Sequence, residues 1–156
     1  MIMMKHLAGY LAAACILFFE ELCVKNHVET HFQANDSKQT LGGLLVLRKY
    51  HNRGAFLNTG ESRQKIVASV SVALTAMVAV VLFKVAGTAG LRLCKAGLTL
   101  LLGGGLSNTY DRLTRGYVVD YMSIRSGIKR IDSIVFNMAD LYIAIGAVLA
   151  LIGDDR

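Results

Sequence analysis

The sequence predicts an all-α polytopic membrane protein of four transmembrane helices, with a small lobe of some β content outside the membrane. Three observations predict it. Hydrophobic residues make up 54% of the 156, and mean hydropathy is +0.47, too apolar for an ordinary water-soluble domain. Charged residues, 18% in all, gather between apolar blocks instead of spreading evenly. The blocks recur four times, at about residues 7–24, 66–83, 96–112 and 134–152. The net charge of +6 does not point to nucleic acid, because the apolar blocks leave no room for a basic groove with interleaved aromatics. Attraction to anionic membrane lipids accounts for it better.

Leu7 to Val24 is mostly apolar behind Lys5, broken only by Glu20 and Glu21 near its far end. Ala12-Ala13-Ala14-Cys15 is similar to a lipoprotein processing box. The run continues through Phe19 and further spans follow, so an uncleaved first helix is expected over a removed signal. Residues 25–65 are polar by comparison. They hold Gly42-Gly43, the β-favouring run Leu44-Leu45-Val46-Leu47 and the stretch His51-Asn52-Arg53-Gly54-Ala55-Phe56, which together read as the lobe. Ile66 to Phe83 is almost uninterrupted and suits a bilayer core of roughly 30 Å. Lys84, Arg92 and Lys95 form a basic link, after which Ala96 to Leu106 opens the third span and Ser107 to Arg112 closes it in polar residues. Ile134 to Ile152 is apolar apart from Asn137 and Asp140, and Gly153 to Arg156 leaves the membrane.

Four spans put both termini on one side. The basic link assigns that side to the cytoplasm, although the long first loop also carries Arg48, Lys49, Arg53, Arg63 and Lys65, and loops of this length report orientation poorly. Cys15, Cys23 and Cys94 lack CxxC spacing and read as buried small hydrophobes. Only His27 and His31 have a one-turn spacing, with no third ligand, so neither a metal nor another cofactor is expected. Nothing implies an oligomer.

Ionisable groups at membrane depth are costly, which makes each a functional candidate unless it pairs or caps. Three clusters qualify. Asn108-Thr109-Tyr110-Asp111-Arg112 ends span three, with Asp111 beside Arg112 and one turn from Asn108. Tyr117-Val118-Val119-Asp120-Tyr121 presents one carboxylate in an extended-looking stretch. Phe136-Asn137-Met138-Ala139-Asp140 opens span four, with Asn137 and Asp140 on one helix face. One such cluster alone reads as a helix cap or an interhelical hydrogen bond. Three in the last third of a small chain are harder to explain so, and spans three and four would bring Asp120 and Asp140 to one membrane face.

At these residues the sequence resembles the signal peptidase II family. Gly103-Gly104-Gly105-Leu106-Ser107-Asn108-Thr109-Tyr110-Asp111-Arg112 is similar to its glycine-rich Asn-x-x-Asp-Arg motif, with Ser107 where the family usually has Gly. Gly116 to Tyr121 is similar to its Gly-x-Val-Val-Asp-aromatic motif, Phe136 to Asp140 to Phe-Asn-x-Ala-Asp, and Asn52 to Phe56 to the Asn-x-Gly-Ala element of its first extracytoplasmic loop. The resemblance implies a catalytic pair, Asp120 and Asp140. It implies substrate-binding or orienting roles for Asn52, Gly54, Asn108, Arg112 and Asn137, with Asp111 in support. The family's Asp four residues before a Lys at the end of the first helix is met here by Glu21 before Lys25, an expected organising pair. The implied substrate is a diacylglyceryl-modified prolipoprotein, cut just before its lipidated cysteine at the outer face of a bacterial cytoplasmic membrane.

The residue types suit that chemistry. Two close carboxylates share a proton, so one activates water while the other protonates. No Ser or Cys sits beside a base in the three clusters, and no metal-ligand spacing occurs in them. A catalytically silent relative and a proton- or ion-conducting protein are the competing readings. The intact Asp120 and Asp140 weigh against the first, and the large first loop against the second.

Overall fold

The computed structural model describes residues 2–33, 36–54 and 61–153. Ala55 and Phe56 of the first-loop motif, and the tail after Gly153, lie outside the described residues. The order is α1 (Ile2–His31), β1 (Ser37–Thr40), a 3-10 turn (Leu41–Gly43), β2 (Leu45–Asn52), α2 (Glu61–Val85), α3 (Arg92–Thr114), β3 (Val118–Ile124), α4 (Lys129–Asp132) and α5 (Met138–Ile152).

The helices are inverted relative to a soluble bundle. Ile16 and Phe19 of α1, Ile66, Leu74, Met77, Val80 and Phe83 of α2, and Ile145, Val148 and Leu151 of α5 are exposed, while Glu21, Lys25, Lys95, Thr99, Asn108 and Asp111 are buried. Apolar outside and polar inside is the arrangement that hydrocarbon solvent favours. Two helical stretches are long and apolar enough to cross a membrane, His6–His31 and Gln64–Val85. The third, α3, is more polar, and α5 is apolar but only 15 residues long. It starts at Met138 rather than at Ile134, because Phe136 is drawn into a β-bridge with Met122 and Asn137 takes the extended conformation of an N-cap. The cysteines also differ from expectation. Cys15 and Cys23 are exposed and Cys94 half-buried, on outward faces where an apolar solvent makes burial within the protein unnecessary.

α3 is the hub, packed against α1, α2 and α5. Its three consecutive glycines explain how. Successive helical residues point about 100° apart, so each glycine meets a different neighbour. A Cβ on Gly103 would lie 2.9 Å from Leu17 Cβ in α1, one on Gly104 2.5 Å from the Ala139 carbonyl oxygen in α5, and one on Gly105 3.0 Å from Thr75 Oγ1 in α2. Lower down, Gly97 and Gly146 meet backbone to backbone across α3 and α5. Small residues let membrane helices approach this closely.

The lobe is a three-stranded antiparallel sheet in the order β1-β2-β3. Of the run Leu44 to Leu47, Leu45 to Leu47 open β2, as β-branched and aliphatic residues suggest, while Leu44 closes the preceding 3-10 turn. Two features were not legible in residues 25–65: α1 continues through His31, and β3, fully 66 residues after β2 ends, supplies the third strand by pairing Tyr50 with Asp120 and Asn52 with Val118. Val28 of α1 and Val119, Tyr121 and Met122 of β3 form the core that seats the sheet on the bundle.

Candidate active site

The site lies where α3, β3 and the start of α5 converge, and three asparagine amides organise it. A primary amide has a carbonyl that accepts and an NH2 that donates, so whatever donates to the carbonyl fixes where the NH2 points. Lys25, which can only donate, holds the Asn108 carbonyl at 2.9 Å, and Asn108 Nδ2 then donates to Asp140 Oδ1 at 2.8 Å. The Asp140 backbone N–H holds the Asn137 carbonyl at 3.0 Å, leaving Asn137 Nδ2 to donate to Asp120 Oδ1 at 2.6 Å. The Gly54 N–H holds the Asn52 carbonyl at 3.0 Å, so Asn52 Nδ2 donates to Asp120 Oδ2 at 3.0 Å. Gly54 closes this turn at φ +101, a conformation that suits glycine.

Asn137 couples the two carboxylates. Besides binding Asp120, its own backbone N–H donates to Asp140 Oδ2 at 3.2 Å, and the reciprocal pair is a capping box at the start of α5. Asn137 and Asp140 therefore do not share a helix face as their spacing suggested; Asn137 precedes the helix and caps it. Asp120 is 1% exposed, and that burial pushes its carboxyl up to about 6 from an ordinary 3.8. Donation from Asn52 opposes the shift, the nearby Asp140 charge adds to it, and donation from Asn137 opposes it again.

Behind the amides sits a buried cluster. Lys25 donates to Ser107 Oγ at 2.9 Å and pairs with Asp111 at 3.0 Å, while Glu21 stands 4.0 Å away. Asp111 also pairs with Arg115 at 2.9 Å and accepts from the Val119 N–H at 3.1 Å. Consecutive helical residues diverge, so Arg112 turns away from Asp111 and donates to Ser71 Oγ at 3.1 Å and to the Asn108 backbone carbonyl at 3.3 Å. Ser107, the departure from the family's glycine, is one of the lysine's acceptors. Glu21 receives the Tyr121 hydroxyl at 2.8 Å, linking α1 to β3.

Several contributors were missed in the sequence. Ser71 and Thr75 of α2 both reach Thr109 at 3.0 Å, tying α2 to the site helix. Their signal was present, as hydroxyls inside an apolar span. A cleft of about 360 Å³ runs between α2, α3 and α5, lined by Leu74, Met77, Leu101 and Ile143 and ending on Asn108, Arg112 and Asp140. Elsewhere His27 and His31 stack on each other at 4.1 Å, and among the described residues no three His, Cys, Asp or Glu converge as a metal site.

A mostly helical membrane fold that gathers two aspartates, Asp120 of β3 and Asp140 at the start of α5, into one hydrogen-bonded network has the residue types of an aspartic-type membrane peptidase, and the family match gives that class. The signal peptidase (SPase) II profile matches residues 13–153, and the chain belongs to that family. It is 31% identical to the lipoprotein signal peptidase of Lactobacillus johnsonii over 145 residues, covering 93% of this chain and 90% of that protein. It is 32% identical to that of Moorella thermoacetica over 139 residues, covering 89% and 87%. Two solved bacterial membrane enzymes share the fold. One, at 1.9 Å resolution, superposes with a TM-score of 0.80 at 22% identity over 96% of this chain and 95% of that one. The other, at 2.3 Å, gives 0.77 at 21% identity over 93% and 86%.

Proposed function

We propose that the protein removes signal peptides from diacylglyceryl-modified prolipoproteins by hydrolysing the bond before the lipidated cysteine, with Asp120 and Asp140 as the catalytic dyad. The observation that carries this reading is that both carboxylates bind the one residue Asn137 and are aimed by amides whose orientation is independently fixed. Each of the four carboxylate oxygens accepts one hydrogen bond from these amides and backbone groups, and a carboxylate oxygen has a second lone pair with which to address a water.

In the mechanism, the ionised member of the pair takes a proton from water as its oxygen adds to the scissile carbonyl carbon. The protonated member gives its proton to the carbonyl oxygen; as the C–N bond breaks, the proton taken from water passes to the departing amine, and the proton on the former carbonyl oxygen returns to the pair. The products are the signal peptide's new carboxylate and a lipidated cysteine with a free amino group. Burial that holds Asp120 near 6 keeps the pair able to share one proton near neutral pH. Asn52, Asn108 and Asn137 aim the carboxylates, and Arg112 lies along the cleft to orient substrate carbonyls. Glu21, Lys25 and Asp111 hold the frame, and Gly54 holds Asn52. The apolar cleft opens among helices whose outer faces are apolar, which suits a substrate whose acyl chains stay in the bilayer.

The whole chain, residues 1–156, is one peptidase domain. Its four spans follow α1, α2, α3 and α5, with both termini cytoplasmic and the sheet and both aspartates at the outer face of the cytoplasmic membrane. At about 1.5 Å per residue, α5 is shorter than a bilayer core, so the site lies below the headgroups, where the scissile bond of a lipid-anchored substrate resides. The experiment is cleavage by purified protein in detergent. A lipidated precursor should be cut and its unlipidated form ignored; no cleavage, or equal cleavage of both, contradicts the reading.

A further inference from the structure

The pairing of β2 with β3 is irregular just before the residue that touches Asp120. Leu47 lies opposite Met122, but Tyr50 lies opposite Asp120, so three steps along β2 match two along β3 and one residue is extra. The extra residue decides which side chain reaches the carboxylate. In the observed register Asn52 shares a face with Tyr50 and Asp120, while His51 points to the opposite face and stacks on Tyr117 at 4.0 Å. With unbroken pairing from Leu47 onward, Lys49 would oppose Asp120, His51 would take the position beside it, and Asn52 would face away.

An inserted residue interrupts the ladder, so something outside the sheet has to favour it. Glu29, at the end of α1, binds both residues that flank Tyr50. Lys49 Nζ pairs with the Glu29 carboxylate at 3.0 Å and donates to the Glu29 backbone carbonyl at 2.9 Å, and His51 Nε2 meets the other carboxylate oxygen at 2.8 Å. All three side chains are at least half-buried, where such contacts are screened less than on an open surface. None of them touches the two aspartates in any hydrogen bond the structure forms.

From this juxtaposition we infer that Glu29 is a positioning residue for the reaction: it grips Lys49 and His51, fixes the bulged register of β2, and so selects the Asn52 amide as the group that binds Asp120. The inference rests on the proposed role of Asp120, and the experiment separates the two. In a background with Cys15, Cys23 and Cys94 changed to serine, an Asn52→Cys, Val118→Cys pair reports the observed register, since opposed residues of an antiparallel pair sit roughly 4.5–5.5 Å apart, within disulfide reach. A Tyr50→Cys, Val119→Cys pair reports the slipped one. Under a mild copper-phenanthroline oxidant, Glu29→Ala should lower the yield of the first pair severalfold, and unchanged yield overturns the inference whatever the catalytic residues are. Activity gives the second arm. Glu29→Ala and Asn52→Ala should each lower kcat by about tenfold or more, the worth of one hydrogen bond to a charged group, with KM little changed. The double variant should be no worse than either, and Glu29→Gln, which keeps acceptors, should recover part of the loss. Losses that multiply, or fall on KM alone, overturn the positioning role. Failure of the parent reading shows separately, as cleavage that survives Asp120→Asn.

Discussion

At the scale of single residues, the site works by constraint on amides. Asn52 shows it most directly, because its N–H favours the ionised form of a carboxyl that burial has raised to about 6. Asp120 gains its charge as pH rises through that value, so the acid limb of the rate profile should rise there and the profile should be bell-shaped. Asn52→Ala removes a group that lowers the pKa, so the limb should move to higher pH; an unmoved or lowered limb in a pH–kcat series contradicts the assignment. Asp111→Asn tests the frame. It leaves buried Lys25 with the more distant Glu21, at 4.0 Å, as its carboxylate partner, a loss of up to about 3–5 kcal/mol by comparison with broken buried pairs. Folded yield and Tm should drop while the folded fraction still cleaves, and full stability with no turnover would make Asp111 catalytic. The residue types of this cluster were legible because carboxylates and asparagines in apolar segments stand out. The partners were not: Lys25 lies 86 positions before Asp111 and meets it through the packing of α1 on α3, which no local spacing encodes.

At the scale of elements, α3 holds the molecule together through glycines facing three ways. Gly104 matters most to the site, since the carbonyl it abuts belongs to Ala139, between Asn137 and Asp140. Gly104→Ala should push α5 away and lower kcat by about tenfold or more, as small misplacement of reacting groups does, while Gly9→Ala, with nothing within 4 Å, should behave as wild type. Cleavage rates of the two variants at matched folded concentration decide it, and equal rates would contradict the packing role of Gly104. The long apolar helices were legible from composition alone. The start of α5 was not, because residues 134–136 before it are as apolar as those of the helix, and the bridge from Phe136 to Met122 together with the extended cap at Asn137 keeps them out of it. The sheet was half legible: aliphatic residues announce β2, whereas β1, Ser-Lys-Gln-Thr, has no apolar alternation to read.

At the scale of the whole molecule, exposed apolar helix faces and a buried polar interior define a protein built for lipid, with the sheet seated on the bundle through β3, the strand that carries Asp120. The proposed topology puts Lys38, exposed on β1, outside the cell membrane. A Lys38→Cys protein should react with a membrane-impermeant thiol reagent in intact cells, and reaction only after permeabilisation would reverse the orientation. The central claim is that Asp120 and Asp140 act as one unit joined through Asn137. Its most direct measurement compares Asp120→Asn, Asp140→Asn and the double variant, matched for folding, on one lipidated precursor. Each single change should abolish nearly all turnover and the double should be no worse, the non-additivity of groups that share a proton. Near wild-type turnover in either single variant, or two losses that multiply in the double, would contradict the dyad.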